Sequence, residues 1–181
     1  MTVISILSDL VEEPRRFLEG GDAPGTGKAG LAGFLFGALG LFAFLRLFSA
    51  VPPGLYSFLN VLIAVLGINF ALAAAMHLFL GMTGCAGSAP RLFSMLGVTE
   101  LLWCALIPLG FLARLELLSP VAAFVLCLAG LLSARTLLVR RLYSVSLNKA
   151  ALAVGLPYAA VLAGAFTLLL YALVCLVWLF A

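Results

Sequence analysis

The chain of 181 residues is 65% hydrophobic and only 9% charged, with a mean hydropathy of +1.27. A soluble domain typically carries ~25% charged residues, so this composition excludes a water-soluble globular protein and indicates lipid as the solvent. The formal net charge of +3 comes from basic residues that stand beside apolar runs. That placement is typical of charges flanking membrane spans and argues against nucleic-acid binding.

Residues 1–28 form the first of two predicted regions. Over residues 1–13 apolar side chains recur with helical spacing opposite Ser, Asp and Glu, which predicts a short amphipathic helix at the membrane interface. The Gly- and Pro-rich linker GGDAPGTGK follows. Its end resembles a phosphate-binding loop, but Asp22 and Ala29 stand where that motif requires Gly and Ser or Thr. We therefore expect no nucleotide or other cofactor.

Residues 29–181 form the second predicted region, an all-α bundle of five transmembrane helices. One crossing takes about 20 apolar residues, and the charge-poor runs place the five spans at 29–48, 55–80, 92–112, 121–139 and 150–181. Pro108 is expected to kink the third span. The last run would reach about 48 Å as a helix. We expect Pro157 to divide it, with its first turns tilted or packed beneath the bundle.

Small residues recur with helical spacing along the first and last spans, a pattern that lets two helix backbones approach closely in lipid. We expect helix packing at these positions, either within the chain or against a protein partner or a second copy. The positions are Gly33, Gly37, Gly40, Ala151, Gly155, Ala159 and Ala163.

Among the polar side chains inside the predicted spans, four form a candidate cluster: Asn69, His77, Glu100 and Arg135. An ionised group at depth costs about 2.5–3.5 kcal/mol, so Glu100 must be protonated or paired. Arg135 is the expected partner because the fourth span runs opposite to the third, and His77 is expected on the same side. Such a cluster could be an ion pair that fixes helix register, or it could bind a lipid headgroup or relay protons.

The chemical inventory of the chain is thin. A single histidine and four scattered cysteines offer no spacing for a metal site. Intramembrane catalysis needs paired acids, a Ser/Lys or Ser/His pair or a metal, and the spans do not supply such a set. We therefore expect no metal and no enzymatic activity.

Basic residues are distributed unevenly between the two sides of the predicted bundle. With the N-terminus inside, two cations lie outside, Arg46 and Arg114. Eight lie inside: Arg15, Arg16, Lys28, Arg91, Arg135, Arg140, Arg141 and Lys149. The positive-inside rule therefore predicts a cytoplasmic N-terminus and a C-terminus outside. The basic turn that holds the last three of these eight is placed to contact lipid headgroups.

The run SVSLNKAALAVGLP after this basic turn resembles the segment that opens the last span of the Yip-domain (Ypt/Rab-interacting) family, particularly its bacterial branch. The matching positions are Ser146, Lys149, Ala150 and Pro157. Further landmarks are Pro14 with Phe17 and Arg91 with Phe93. The resemblance implies a five-span bundle with a cytoplasmic N-terminus.

Eukaryotic members of that family act in vesicle trafficking and bind prenylated Rab-type GTPases. This chain lacks their long cytoplasmic N-terminal region and its acidic, Tyr-Gly-Pro-bearing motif, which argues against GTPase binding here. We expect a non-enzymatic protein that acts by association, as a membrane-organising scaffold or as an accessory subunit of a membrane complex. The alternative is a lipid or small-solute conduit that uses Glu100, Arg135 and His77. The Leu-, Ala- and Gly-rich composition favours a prokaryotic plasma membrane.

Overall fold

The computed structural model describes residues 26–180, and this part of the chain is helical apart from short turns. Its elements are α1 (Thr26–Leu47), α2 (Leu55–Met82), α3 (Ala89–Glu100), a 3-10 segment (Leu101–Ala105), α4 (Leu106–Arg114), α5 (Pro120–Leu142) and α6 (Leu147–Phe180). Helices α3 and α4 join through the 3-10 segment into one span, Ala89–Arg114. Five spans are thus long and apolar enough to cross a membrane, which confirms the predicted five-helix membrane bundle. The predicted amphipathic helix lies outside the described residues.

Four helices end in the same left-handed turn, the Schellman motif. The residues with positive φ are Ser49 (57°), Gly84 (78°), Glu116 (59°) and Ser144 (50°). The residue after each of them donates its backbone N–H to the carbonyl five residues earlier, at 2.9 to 3.1 Å. Each turn reverses the chain within a few residues, so consecutive spans run antiparallel.

The third span lies at the centre of the bundle. Helix α1 packs along all three of its parts, and α2 and α5 also contact it. Helices α3 and α5 each have a proline in their first turn, and each follows a serine, Ser88 or Ser119. The Ser119 hydroxyl accepts a hydrogen bond from the Ala122 N–H at 3.1 Å. Proline fits this first turn because its missing N–H would have no partner there.

A seam of glycines brings α1 against the third span in parallel register. A side chain at Gly30, Gly33, Gly37 or Gly40 would collide with the backbone of Ser94, Gly97, Glu100 or Trp103 respectively. At Gly40 the added carbon would lie 2.7 Å from the Trp103 carbonyl oxygen. The helix backbones therefore touch directly, and the predicted packing positions Gly33, Gly37 and Gly40 all lie in this seam.

The helical pattern of the third span changes just before Pro108. Proline has no N–H to bond the carbonyl of Cys104, and its ring crowds that carbonyl. The backbone over Leu101–Ala105 accordingly adopts the tighter 3-10 form, and Pro108 lies in the first turn of α4. The disturbance expected at Pro108 thus falls in the turn that precedes it.

Helix α6 differs from the expectation in two ways. It runs without interruption through Pro157, so the predicted division there is wrong, because a transmembrane helix tolerates one freed carbonyl. Its first turns do pack on α2 and α5, but through Ala150, Ala153 and Val154. The predicted positions in this helix are exposed instead: Ala151, Gly155, Ala159 and Ala163. Of the two alternatives for these positions, packing within the chain is therefore wrong, and packing against a partner or a second copy stays a prediction.

Candidate functional site

A layer of polar side chains lies at mid-span between two apolar clusters. Asn69, Glu100 and Arg135 are 3%, 2% and 1% exposed. One turn away on α5, Leu131 belongs to the apolar cluster on one side and Val139 to the cluster on the other. The same helical period that buries these neighbours therefore also buries the polar groups.

Arg135 is the hub of this layer, which we call the polar cluster: Asn69, Thr99, Glu100, Arg135 and Tyr158. Its Nε donates to Thr99 Oγ1 at 3.1 Å, and Nη1 donates to the Tyr158 hydroxyl. Its Nη2 donates to Asn69 Oδ1 at 2.6 Å and to Glu100 Oε1. The last contact is also an ion pair, so the charge of each residue is neutralised by the other.

Asn69 completes the polar cluster. Its Nδ2 donates to Glu100 Oε1 at 3.1 Å and to the Val65 carbonyl at 2.8 Å. The Thr99 hydroxyl, which accepts from Arg135, donates to the Leu96 carbonyl at 2.6 Å. Throughout residues 26–180 no buried side-chain nitrogen or oxygen lacks a hydrogen-bond partner. Because unsatisfied polar groups are costly in lipid, this complete pairing makes the cluster tolerable at mid-span.

The polar cluster joins every span of the bundle. Its members come from α2, α3, α5 and α6, and α1 covers Glu100 from the remaining side. A side chain at Gly37 would collide with the backbone and Cβ of Glu100, so only glycine lets α1 lie this close. The glycine seam and the ion pair are therefore parts of one arrangement.

His77 does not belong to the polar cluster, and its predicted place there is wrong. It lies two turns beyond Asn69 on α2, about 12 Å along the helix axis. There its Nδ1 is 2.9 Å from the Tyr143 hydroxyl. Tyr143 follows the last residue of α5, and burial raises the pKa of its hydroxyl. His77 and Tyr143 thus form a separate pair that ties α2 to the end of α5.

Thr99 and Tyr158 were not foreseen from the sequence. A tyrosine in a charge-free run is commonly placed near a membrane interface, so Tyr158 gave no sign of an internal partner. The available signal was its position directly after Pro157, in the part of the fifth span expected to pack. Thr99 stands next to Glu100, but nothing in the sequence indicated that its hydroxyl would bond to Arg135.

The three basic residues of the turn between α5 and α6 differ in their contacts. Lys149 donates from Nζ to the Thr83 carbonyl at 2.9 Å, which links this turn to the one between α2 and α3. The side chains of Arg140 and Arg141 are exposed and line a groove with Ser144. The predicted headgroup residues therefore include one structural link and two outward-facing cations.

The hydrogen bonds of the polar cluster run between helices of the bundle. Its three most polar members have almost no exposed surface, and its donors and acceptors bond to each other. In the described part of the chain no three His, Cys, Asp or Glu side chains are placed to hold a metal. Comparison with protein-family models, with curated proteins and with solved structures finds no match to the chain. The resemblance to the Yip-domain family therefore stays a prediction.

Proposed function

We propose that this protein is a non-enzymatic membrane protein that works by association and that α6 is its associating helix. The main support for this proposal is that residues 159–180 of α6 are all exposed. At 1.5 Å per residue this stretch is about 33 Å long, enough to cross a bilayer without the rest of the bundle. A spanning helix of this length is available for contact with another protein.

The surface of α6 has the chemistry by which helices associate in lipid. Four exposed small residues follow one another at intervals of four and form what we call the α6 ridge: Ala151, Gly155, Ala159 and Ala163. Since lipid tails are as apolar as leucine, helices associate in membranes through close backbone packing rather than through burial of apolar surface. The glycine seam between α1 and the third span uses the same kind of small-residue contact.

The occupant we propose for this ridge is a second copy of the chain. A small-residue ridge on one helix is complementary to the same ridge on an identical helix, as a two-fold interface requires. An added carbon at Gly155 meets no atom within 4 Å, so the ridge is open to a partner. A dimer formed in this way would organise a membrane region or present paired surfaces to a larger complex, in a prokaryotic plasma membrane as the composition favours.

The polar cluster supports this role rather than a conduit. A conduit needs polar groups that reach water or solute, whereas Asn69, Glu100 and Arg135 are sealed from every side. His77, which the conduit hypothesis requires, lies elsewhere against Tyr143. The cluster fixes the bundle, and α6 extends from it.

Energy transfer between dye-labelled copies in lipid vesicles tests the proposal. The double variant Gly155→Leu/Ala159→Leu places bulk on the ridge and is expected to lower the dimerisation constant at least tenfold, or about 1.4 kcal/mol. The matched control is Ala172→Leu, on a part of α6 where the residues four before and four after are leucines. It should leave transfer unchanged.

Two results would overturn the proposal in different ways. If the wild-type chain stays monomeric at every protein-to-lipid ratio in vesicles, a second copy is not the partner. If a different protein then co-purifies stoichiometrically from native membranes and is lost with the ridge variant, association remains and the partner is heterologous. If the ridge variant and Ala172→Leu lower energy transfer equally, the ridge is not the interface.

A further inference from the structure

A groove of about 410 Å³ lies where α5 ends, beside the basic turn. It is lined by Leu137, Arg140, Arg141, Ser144 and Val145. Two cations and a hydroxyl thus lie next to two apolar side chains at the end of a membrane span. The end of a membrane span is where the phosphate of a phospholipid is expected to meet its acyl chains.

The two guanidinium groups of this groove are available to a ligand. Three other cations are held by backbone carbonyls: Arg46 by Val51 at 2.9 Å, Arg114 by Leu47 at 2.7 Å, and Lys149 by Thr83. Within residues 26–180 the side chains of Arg140 and Arg141 make no hydrogen bond or ion pair. The five N–H donors of each guanidinium group form a planar fork that matches the spacing of phosphate oxygens.

The groove lies at the C-terminal end of α5, where free carbonyls and the helix dipole repel an anion, and the turn reduces that repulsion. The carbonyls of Arg140 and Arg141 accept the N–H groups of Val145 at 3.1 Å and of Ser144 at 3.4 Å. Two acceptors at the helix end are thereby occupied, which lessens their repulsion of a phosphate. The helix dipole leaves about half a negative charge at this end, and two arginine charges outweigh it.

Ser144 occupies a backbone position that glycine would fill with less strain. Its φ is 50°, in the left-handed region where a side chain costs about 1–2 kcal/mol. The equivalent position after α2 is Gly84. The serine brings a hydroxyl to the groove wall, and a hydroxyl donates well to phosphate oxygen.

We propose that this groove binds the phosphate of an anionic phospholipid headgroup. Arg140 and Arg141 engage the phosphate oxygens and the Ser144 hydroxyl donates to one of them. Leu137 and Val145 contact the start of the acyl chains, which is why the ligand is a lipid and not a free phosphate. The site is distinct from the α6 ridge and does not depend on dimerisation.

Native mass spectrometry of the full chain, with phosphatidylglycerol titrated into phosphatidylcholine, tests the proposal. Arg140→Gln/Arg141→Gln is expected to lower retention of phosphatidylglycerol at least tenfold. Ser144→Gly removes the hydroxyl and relaxes the backbone, so it should lower retention about threefold without loss of thermal stability. Lys28→Gln removes an exposed cation at the same end of the bundle and should leave retention unchanged.

Each other outcome contradicts the proposal or one of its parts. A loss with Lys28→Gln equal to that of the double arginine variant means diffuse attraction of charges and no groove. Full retention by the double arginine variant excludes these residues as ligands. If inorganic phosphate at 10-fold excess displaces the lipid and remains bound in its place, the ligand is free phosphate. Unchanged retention by Ser144→Gly removes the hydroxyl from the proposed contacts.

Discussion

Arg135 is the residue on which the interior of this bundle depends. It brings a permanent charge to mid-span, and four hydrogen bonds to four different side chains make that charge tolerable. Removing one partner of a buried ion pair leaves an uncompensated charge, whereas replacing both by apolar groups is often neutral. We therefore expect the pair to specify how the helices are arranged more than it adds to their stability.

Glu100→Gln is accordingly expected to destabilise the bundle by about 3–5 kcal/mol, because Arg135 keeps its charge without a counter-ion. Adding Arg135→Met to this variant removes the remaining charge and should recover more than half of that loss. Reversible unfolding by SDS in mixed micelles measures both. A Glu100→Gln chain within about 1 kcal/mol of the wild type would contradict a structural role for the pair.

At this scale the sequence predicted the pair but not its whole environment. The rule that an acid at depth needs a partner led from Glu100 to Arg135. Helix rotation and tilt decide which other side chains reach them, and apolar periodicity specifies neither. That is why Tyr158 was missed from a span with no charges, and why His77 was placed two turns from its true partner, Tyr143.

At the scale of elements, small-residue stripes with similar spacing play different roles. The α1 stripe is a seam inside the chain, while the α6 stripe faces outward. The spacing alone predicts close packing in both cases and does not identify the partner helix. What distinguishes them is the third span. Its backbone fits α1 at four glycines, whereas residues 159–180 of α6 are exposed within the described part of the chain.

Gly37→Ala tests the seam at the point where it covers Glu100. The added methyl collides with the backbone of the third span, so the helices must separate, and overpacking of this kind costs about 1–3 kcal/mol. Gly67→Ala in α2 is the matched control, because its added carbon meets nothing within 4 Å. The control should be neutral or slightly stabilising, since alanine favours helix. Equal unfolding curves for the two variants would contradict the seam.

At the scale of the whole molecule, burial changes the charge argument for orientation. The eight cations predicted on the inner side include Arg135, but it is enclosed in the bundle and paired with Glu100. The remaining described cations at that end are Lys28, Arg91, Arg140, Arg141 and Lys149. They still outnumber Arg46 and Arg114 at the other end, so the positive-inside rule favours the same orientation.

The expected orientation places the turn before α2 outside and the turn before α3 in the cytoplasm. In a background where the four native cysteines are replaced by alanine, Ala50→Cys and Ser88→Cys introduce thiols at exposed positions in these two turns. A membrane-impermeant maleimide should label Ala50→Cys in intact cells and Ser88→Cys only after permeabilisation. The opposite labelling pattern would mean that the orientation is inverted and that the proposed lipid groove lies in the outer leaflet. Labelling of both in intact cells would contradict the bundle itself, because the two turns are separated by one full span.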